Sequence, residues 1–275
     1  MSTFQKGPKF LQEHIGVVKS RMGACFGGNH TIFRGHNLHT ELKNMSWMEL
    51  YMFGITGRRF SLEQLRLLEA MWTYTSYPDA RIWNNRIAGL AGSSRSTGSL
   101  GIASALAVSE GSIYGCSICF RAITFFIHAS DQLKKEKTLE ESVCSELQLH
   151  RNIAGYGRPL LNKDERNVHI LALAKDLGLD QGSYLNLALE IDNFLLTSRR
   201  RMRINYAGLI SALCADMGLL PQELYLFTFP IFLAGMLPCF IEASSKPEGV
   251  LFPTSCADIA YEGHSHRSWL PTIIY

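Results

Sequence analysis

Charge is scarce in this chain. Asp, Glu, Lys and Arg make up 19% of its 275 residues, against 47% hydrophobic residues. That balance excludes wholesale disorder and leaves ample apolar surface for a packed core. An excess of either sign is also missing. The formal net charge is +3, with a pI near 8.4. This is well short of the basic field a nucleic-acid binder presents, and it suits an anionic small ligand. The longest apolar run, 225–241, is only about 17 residues and holds Pro230 and Pro238. It predicts a buried core helix rather than a membrane span.

Other signals are absent too. MSTFQKGPKF at the N-terminus has no long apolar leader, so a cytoplasmic protein is expected. The seven cysteines (25, 116, 119, 144, 214, 239 and 256) are odd in number and sit mostly in apolar runs. Reduced thiols are expected. There is no period-2 strand series, no internal repeat, no phosphate loop and no nucleophile elbow. His36-x-x-His39 and His264-x-His266 lack further ligands, so no metal site is expected.

What is present is helical. Ser46 with Glu49, and Ser61 with Gln64, have capping-box spacing. The small-residue run LAGSSRSTGSLGIASALAVS predicts a buried central helix pair. Further helices are expected over 114–129, 164–177, 182–198, 207–217 and 221–244, with a loop at 155–166. Residues 1–45 suggest a short strand pair or an extended arm. The class expected is all-α.

Cys116-Ser-Ile-Cys119 opens an apolar helix. A redox pair would also need a strand before it, so buried core thiols are expected. The arginines are more informative, because the guanidinium fork fits carboxylate and phosphate. Arg81 and Arg86 flank two amides in RIWNNR, Arg158 sits between Gly157 and Pro159, and Arg166 ends KDER. Their Gly, Pro and Asn neighbours favour ligand binding. Arg199, Arg200, Arg201 and Arg203 cluster before Asn205, where a solvated face is the plainer expectation.

Five segments, taken together and in order, resemble the citrate synthase superfamily, most closely its short citryl-CoA lyases. They are RIWNNRIAGLAGSSRSTGSLGIASALAVSEGSIYG, IAGYGRPLLNKDER, RINYAGLISALCADMGL, LFTFPIFLAGMLPCFIEA and PTSCADIAYEGHSHRSWLP. The similarity runs from about residue 45 to 272. It implies an all-α fold with a large domain (1–115 and 207–275) and a small domain (116–206), assembled as a homodimer. It implies a coenzyme A thioester as co-substrate, a di- or tricarboxylic oxo or hydroxy acid as partner substrate, and no permanently bound cofactor. Neither nucleic acid nor membrane enters as a partner.

The resemblance places Tyr114 at the family's first active-site His and Arg158 at its second. Either Ala207 or Asn205 falls where the family has its Asp base. Tyr114, Arg158 and Asn205 are the catalytic candidates it implies. Arg81, Arg86, Arg166 and Arg267 would bind substrate carboxylates, and Arg199, Arg200 and Arg203 would reach coenzyme A phosphates. Two functions stay open: a citryl-CoA lyase-like enzyme with altered chemistry, or a non-catalytic binding or regulatory member.

Overall fold

The computed structural model describes residues 7–16, 18–158, 163–199, 201–251 and 253–267. A short helix α1 (Pro8–Gln12) precedes three strands, β1 (Gly23–Phe26), β2 (His30–Phe33) and β3 (His36–Asn37). The strands form one antiparallel sheet in the order β1-β2-β3, with Gly23 opposite Phe33 and Ile32 opposite Asn37. The strand pair expected in the first 45 residues is this hairpin.

The rest of the described structure is helical. α2 (Trp47–Thr56) and α3 (Leu62–Thr73) start at Ser46 and Ser61, whose hydroxyls accept the N–H groups of Glu49 and Gln64. Only Ser61 completes the reciprocal box, with the Gln64 side chain returning to its own N–H. α4 (Trp83–Ser93), α5 (Gly98–Val108), α6 (Cys116–Leu133) and α7 (Leu139–His150) follow. Then come α8 (Arg166–Asp176), α9 (Ser183–Thr197), α10 (Tyr206–Asp216), α11 (Pro221–Thr228) and α12 (Leu233–Ser245).

The single helix expected over 221–244 is two. Pro230 lies in the break, where it removes a backbone donor and crowds the preceding turn. By length and composition Pro221–Ser245 is apolar enough to cross a membrane. In this fold α11 packs on α6 and α2, and α12 packs on α4 and α5.

Two apolar clusters result. The larger joins α2, α3, α6, α9, α10 and α11, with Met71, Phe126, Ile191 and Phe227 fully buried. Each such side chain contributes roughly 1.5–3 kcal/mol of transfer free energy. The smaller centres on Ala88, Ala105 and Met236, from α4, α5 and α12. Close contact there needs small residues: a Cβ on Gly92 would lie 2.5 Å from the Phe240 carbonyl oxygen. The buried pair expected from the small-residue run is buried on one side only, because Leu100 on α5 is 62% exposed.

The larger cluster runs without a break across 115/116 and 206/207, the boundaries expected between domains. Phe232 packs against both clusters. The space beside it is where the candidate site lies.

Candidate functional site

The site is built around two backbone segments tied together. Asn205 N–H donates to the Gly155 carbonyl (2.9 Å), and Gly157 N–H donates to the Arg203 carbonyl (2.7 Å). The approach is so close that a Cβ on Gly155 would sit 2.6 Å from the Gly208 Cα. Gly155 also has φ +88°, a conformation that favours glycine. The loop before Arg158 is thereby clamped to the start of α10.

Asn205 is the N-cap of α10. Its Oδ1 accepts Gly208 N–H (3.1 Å), and its Nδ2 donates to the Gly157 carbonyl (2.8 Å). Both ends of its amide are thus engaged structurally. It lines the cavity, but an amide so held supplies no base. Ala207 presents only a methyl to the same cavity.

Asp164 anchors the charges. It is 2% exposed and accepts Arg166 Nε and Nη2, each at 2.8 Å, and Tyr206 N–H at 3.1 Å. Arg158 Nε lies 3.7 Å from the same carboxylate. Burial opposes ionisation of Asp164, but the Arg166 contacts, the Tyr206 amide and Arg158 outweigh it and hold its pKa below the ordinary value. For Arg166, burial works against the charge and Asp164 more than restores it. Its guanidinium stacks over the Tyr206 ring at 4.4 Å. Arg158 also donates to Glu165 Oε2 at 2.6 Å.

Tyr114 closes the opposite wall. Its ring stacks on Phe232 (5.4 Å) and leans on Trp83 (5.5 Å), and its hydroxyl donates to Asn84 Oδ1 at 3.3 Å. Burial pushes its pKa up to about 12, so at neutral pH it is a proton donor. Cys116 and Cys119 border the cavity with thiols raised to about 11 and about 12, chiefly by burial. These are unreactive core thiols, as expected for this C-x-x-C.

The cleft has a volume of about 490 Å³, within the range of small-molecule sites, and opens to solvent. Tyr114, Arg158, Arg166 and Asn205 all line it. Among the described residues Asp164 is the one carboxylate on its wall, and no histidine lines it. No group of His, Cys, Asp or Glu that could hold a metal occurs among the described residues.

The other candidates lie elsewhere. Arg81 is on the surface, paired with Asp79 at 2.7 Å, and Arg86 is on the exposed face of α4. Arg199 is exposed beyond α9, and Arg203 is paired with buried Asp192 at 2.9 Å. None of these four lines the cavity. Arg267 lies in 253–267, which is exposed throughout, and Arg200 falls outside the described residues. Sequence reasoning missed Asn84, Thr228 and Arg121. Arg121 carried a usable signal, as the one charge between Cys116 and His128 in an apolar helix.

No protein-family model matches the sequence, and no curated protein does. Solved structures do. Citryl-CoA lyase from Hydrogenobacter thermophilus superposes with a TM-score of 0.79 at 18% identity, covering 92% of this chain and 98% of that one. The chain has a citrate-synthase-like fold. ATP citrate lyase from Methanosaeta concilii, solved with (3S)-citryl-CoA, gives 0.71 at 15% identity. There the match covers 96% of this chain but 47% of the larger enzyme. Citrate synthase from Thermoplasma acidophilum, solved with carboxymethyl coenzyme A and oxaloacetate, gives 0.65 at 16% identity. That match covers 82% of this chain and 59% of that one. The all-α expectation holds apart from the small N-terminal sheet.

Proposed function

We propose that this citrate-synthase-like chain makes or breaks a carbon–carbon bond between an acyl-CoA and a di- or tricarboxylic oxo or hydroxy acid, with chemistry altered from its structural neighbours. The observation that carries this is the convergence of Tyr114, Arg158 and Arg166 on one cavity, in a fold shared with citryl-CoA lyase over nearly that enzyme's whole length. An ATP citrate lyase of the same fold has also been solved with citrate and coenzyme A.

The residues fit a path in which no protein side chain transfers the α-proton, written here in the cleavage direction. Removing an α-proton from a thioester needs a base beside the carbon, and the cavity offers Ala207 and a capped Asn205 instead. In cleavage the proton leaves a carbinol hydroxyl, whose oxygen becomes a ketone. The adjacent carbon–carbon bond breaks, and its electron pair passes to the thioester as an enolate. A carboxylate of the substrate accepts the hydroxyl proton, and water returns a proton to the enolate carbon to release the acyl-CoA. Tyr114, protonated at neutral pH, donates to the developing enolate oxygen, and Arg158 supplies a permanent positive charge beside it. Arg166 holds a substrate carboxylate.

Homodimer assembly is part of this proposal. The 253–267 segment is exposed throughout and Arg267 does not line this cavity, which supports a role for it at the cavity of a second copy. The test is calorimetric titration with coenzyme A and acetyl-CoA, with and without citrate or oxaloacetate, followed by assay of citryl-CoA cleavage. Micromolar binding with turnover supports the enzyme. Binding without turnover supports the second reading, a non-catalytic member, which the absence of a free base on the described cavity wall favours. No binding of any of these ligands overturns the coenzyme A-linked reading and leaves a repurposed pocket or a structural partner.

A further inference from the structure

The charges of the cavity do not match one another evenly. Arg166 is held by Asp164, and Arg158 by Glu165 with Asp164 beside it. Two carboxylates therefore answer two guanidiniums at that end. Arg121, on α6, lines the same cavity and is half-buried. The hydrogen bond it makes among the described residues is to a neutral group, the Asn152 side-chain oxygen, at 2.8 Å. No carboxylate lies within ion-pair distance of it among the described residues.

Its place on the helix is informative. α6 starts at Cys116, just past Gly115 and Tyr114, so Arg121 lies roughly 9 Å along the axis from the Gly115 cap. Ile118, one turn earlier, lines the cavity between them. The wall thus runs from a neutral donor, past an apolar side chain, to an uncompensated cation. A guanidinium held by an amide keeps most of its five donors for a ligand. The Arg121–Asn152 contact is open to solvent, so water holds the remaining donors of the guanidinium until an oxyanion displaces it, forming charge-assisted hydrogen bonds.

We propose that Arg121, steadied by Asn152, is an anion subsite of this cavity, and that it binds an oxyanion carried by the ligand about two helical turns from the group that Tyr114 meets. The ligand is therefore an elongated anion with a terminal carboxylate or phosphate, not a compact neutral acyl compound. This rests on the cavity being the ligand site proposed above, but not on the ligand being a coenzyme A thioester.

The test is arginine-selective labelling of the whole protein with phenylglyoxal, read by peptide mass mapping, with and without citrate, coenzyme A and pyrophosphate. Arg121 is expected to be labelled, and at least one of the three anions to slow its labelling tenfold or more. Arg81, exposed and distant, serves as the unprotected reference. Arg121→Ala is then expected to weaken binding of the protecting anion at least tenfold. Arg121→Lys should restore part of that affinity and keep its salt dependence.

Protection by citrate but not coenzyme A identifies a carboxylate. Protection by coenzyme A or pyrophosphate identifies a phosphate. Protection by citrate or pyrophosphate, with no binding of coenzyme A, keeps the subsite and removes the thioester proposal. Where coenzyme A is the protecting anion, its binding left unchanged by Arg121→Ala keeps the thioester proposal and overturns the subsite. Labelling of Arg121 that none of the three anions slows also overturns it.

Discussion

Asp164→Asn is the perturbation with the most to say about how this site is held. Asparagine keeps the volume of the side chain and an oxygen for Tyr206 N–H, so packing and the start of α10 are preserved. What it removes is the charge between Arg166 and Arg158. The Asp164 side chain is 1% exposed and that of Arg166 is 19%, so solvent screens the loss poorly. Breaking a buried pair from one side costs about 3–5 kcal/mol, because the partner charge stays behind uncompensated. The assay is urea unfolding at pH 7 of Asp164→Asn, Arg166→Met and the double variant. The double variant is expected to lose clearly less than the two singles added together, since it leaves no orphan charge. Acid supplies a check of sign. The folded-state pKa of Asp164 is lowered, so its contribution is complete above the unfolded carboxylate value of about 4 and fades as pH falls through the folded value. The gap between wild type and Asp164→Asn should therefore narrow below about pH 4. A loss under about 1 kcal/mol at pH 7, or strict additivity of the pair, would refute this account of the charges.

Three further outcomes are expected. Gly155→Ala, which combines φ +88° with a Cβ 2.6 Å from Gly208, should lower unfolding free energy by about 1–3 kcal/mol in the same urea assay. With Ellman's reagent on the folded protein, Cys25, Cys144 and Cys256 should react quickly and Cys116, Cys119, Cys214 and Cys239 slowly, in line with their burial. Tyr114→Phe removes a 3.3 Å hydrogen bond and should cost no more than about 1 kcal/mol of stability. It should nonetheless cut turnover of citryl-CoA at least tenfold, with KM little changed, which separates a donor role from a packing one.

What the sequence reveals here is local. Helix starts at Ser46 and Ser61 are legible because a cap and its partner lie three residues apart. The split of 221–245 follows from one proline, although Pro238 sits inside α12 without ending it. The site itself is legible where a loop announces it. Arg158 follows Gly155 and Gly157, Arg166 ends the same loop, and both reach the cavity. Arg81 and Arg86 did not follow their promising neighbours, for a geometrical reason. The buried face of α4 runs through Asn84, Ala88 and Gly92, spaced by four, and a residue two places from Asn84 points away from it. The amides beside those arginines are the inward groups, with Asn84 meeting Tyr114 and Asn85 holding the Tyr77 and Asp79 carbonyls. Arg121 and Thr228 join the cavity through packing of α6 against α11, a long-range contact that no local pattern encodes.

The titrating groups of the cavity lead to one more consequence. Asp164 ionises below the usual carboxylate range, Cys116 at about 11, and Cys119 and Tyr114 at about 12, while burial raises Tyr206 and Tyr156 further. The arginines stay charged throughout. Nothing on the described wall therefore changes protonation between about pH 5 and 10, given these shifts from the ordinary values. Ligand affinity, measured by calorimetry across that span and corrected for the ligand's own ionisation, should be flat to within about twofold. An enzyme with a histidine base in its cavity would instead show a step near neutrality. A step in turnover but not in binding would mean that a group outside this wall acts during the reaction; in the proposed homodimer, His264 and His266 on the exposed 253–267 segment are the imidazoles a second copy would bring. Substituting both histidines would then flatten the turnover profile and leave affinity unchanged. A step in binding itself would mean that the cavity charges are not paired as Asp164, Arg158 and Arg166 are here.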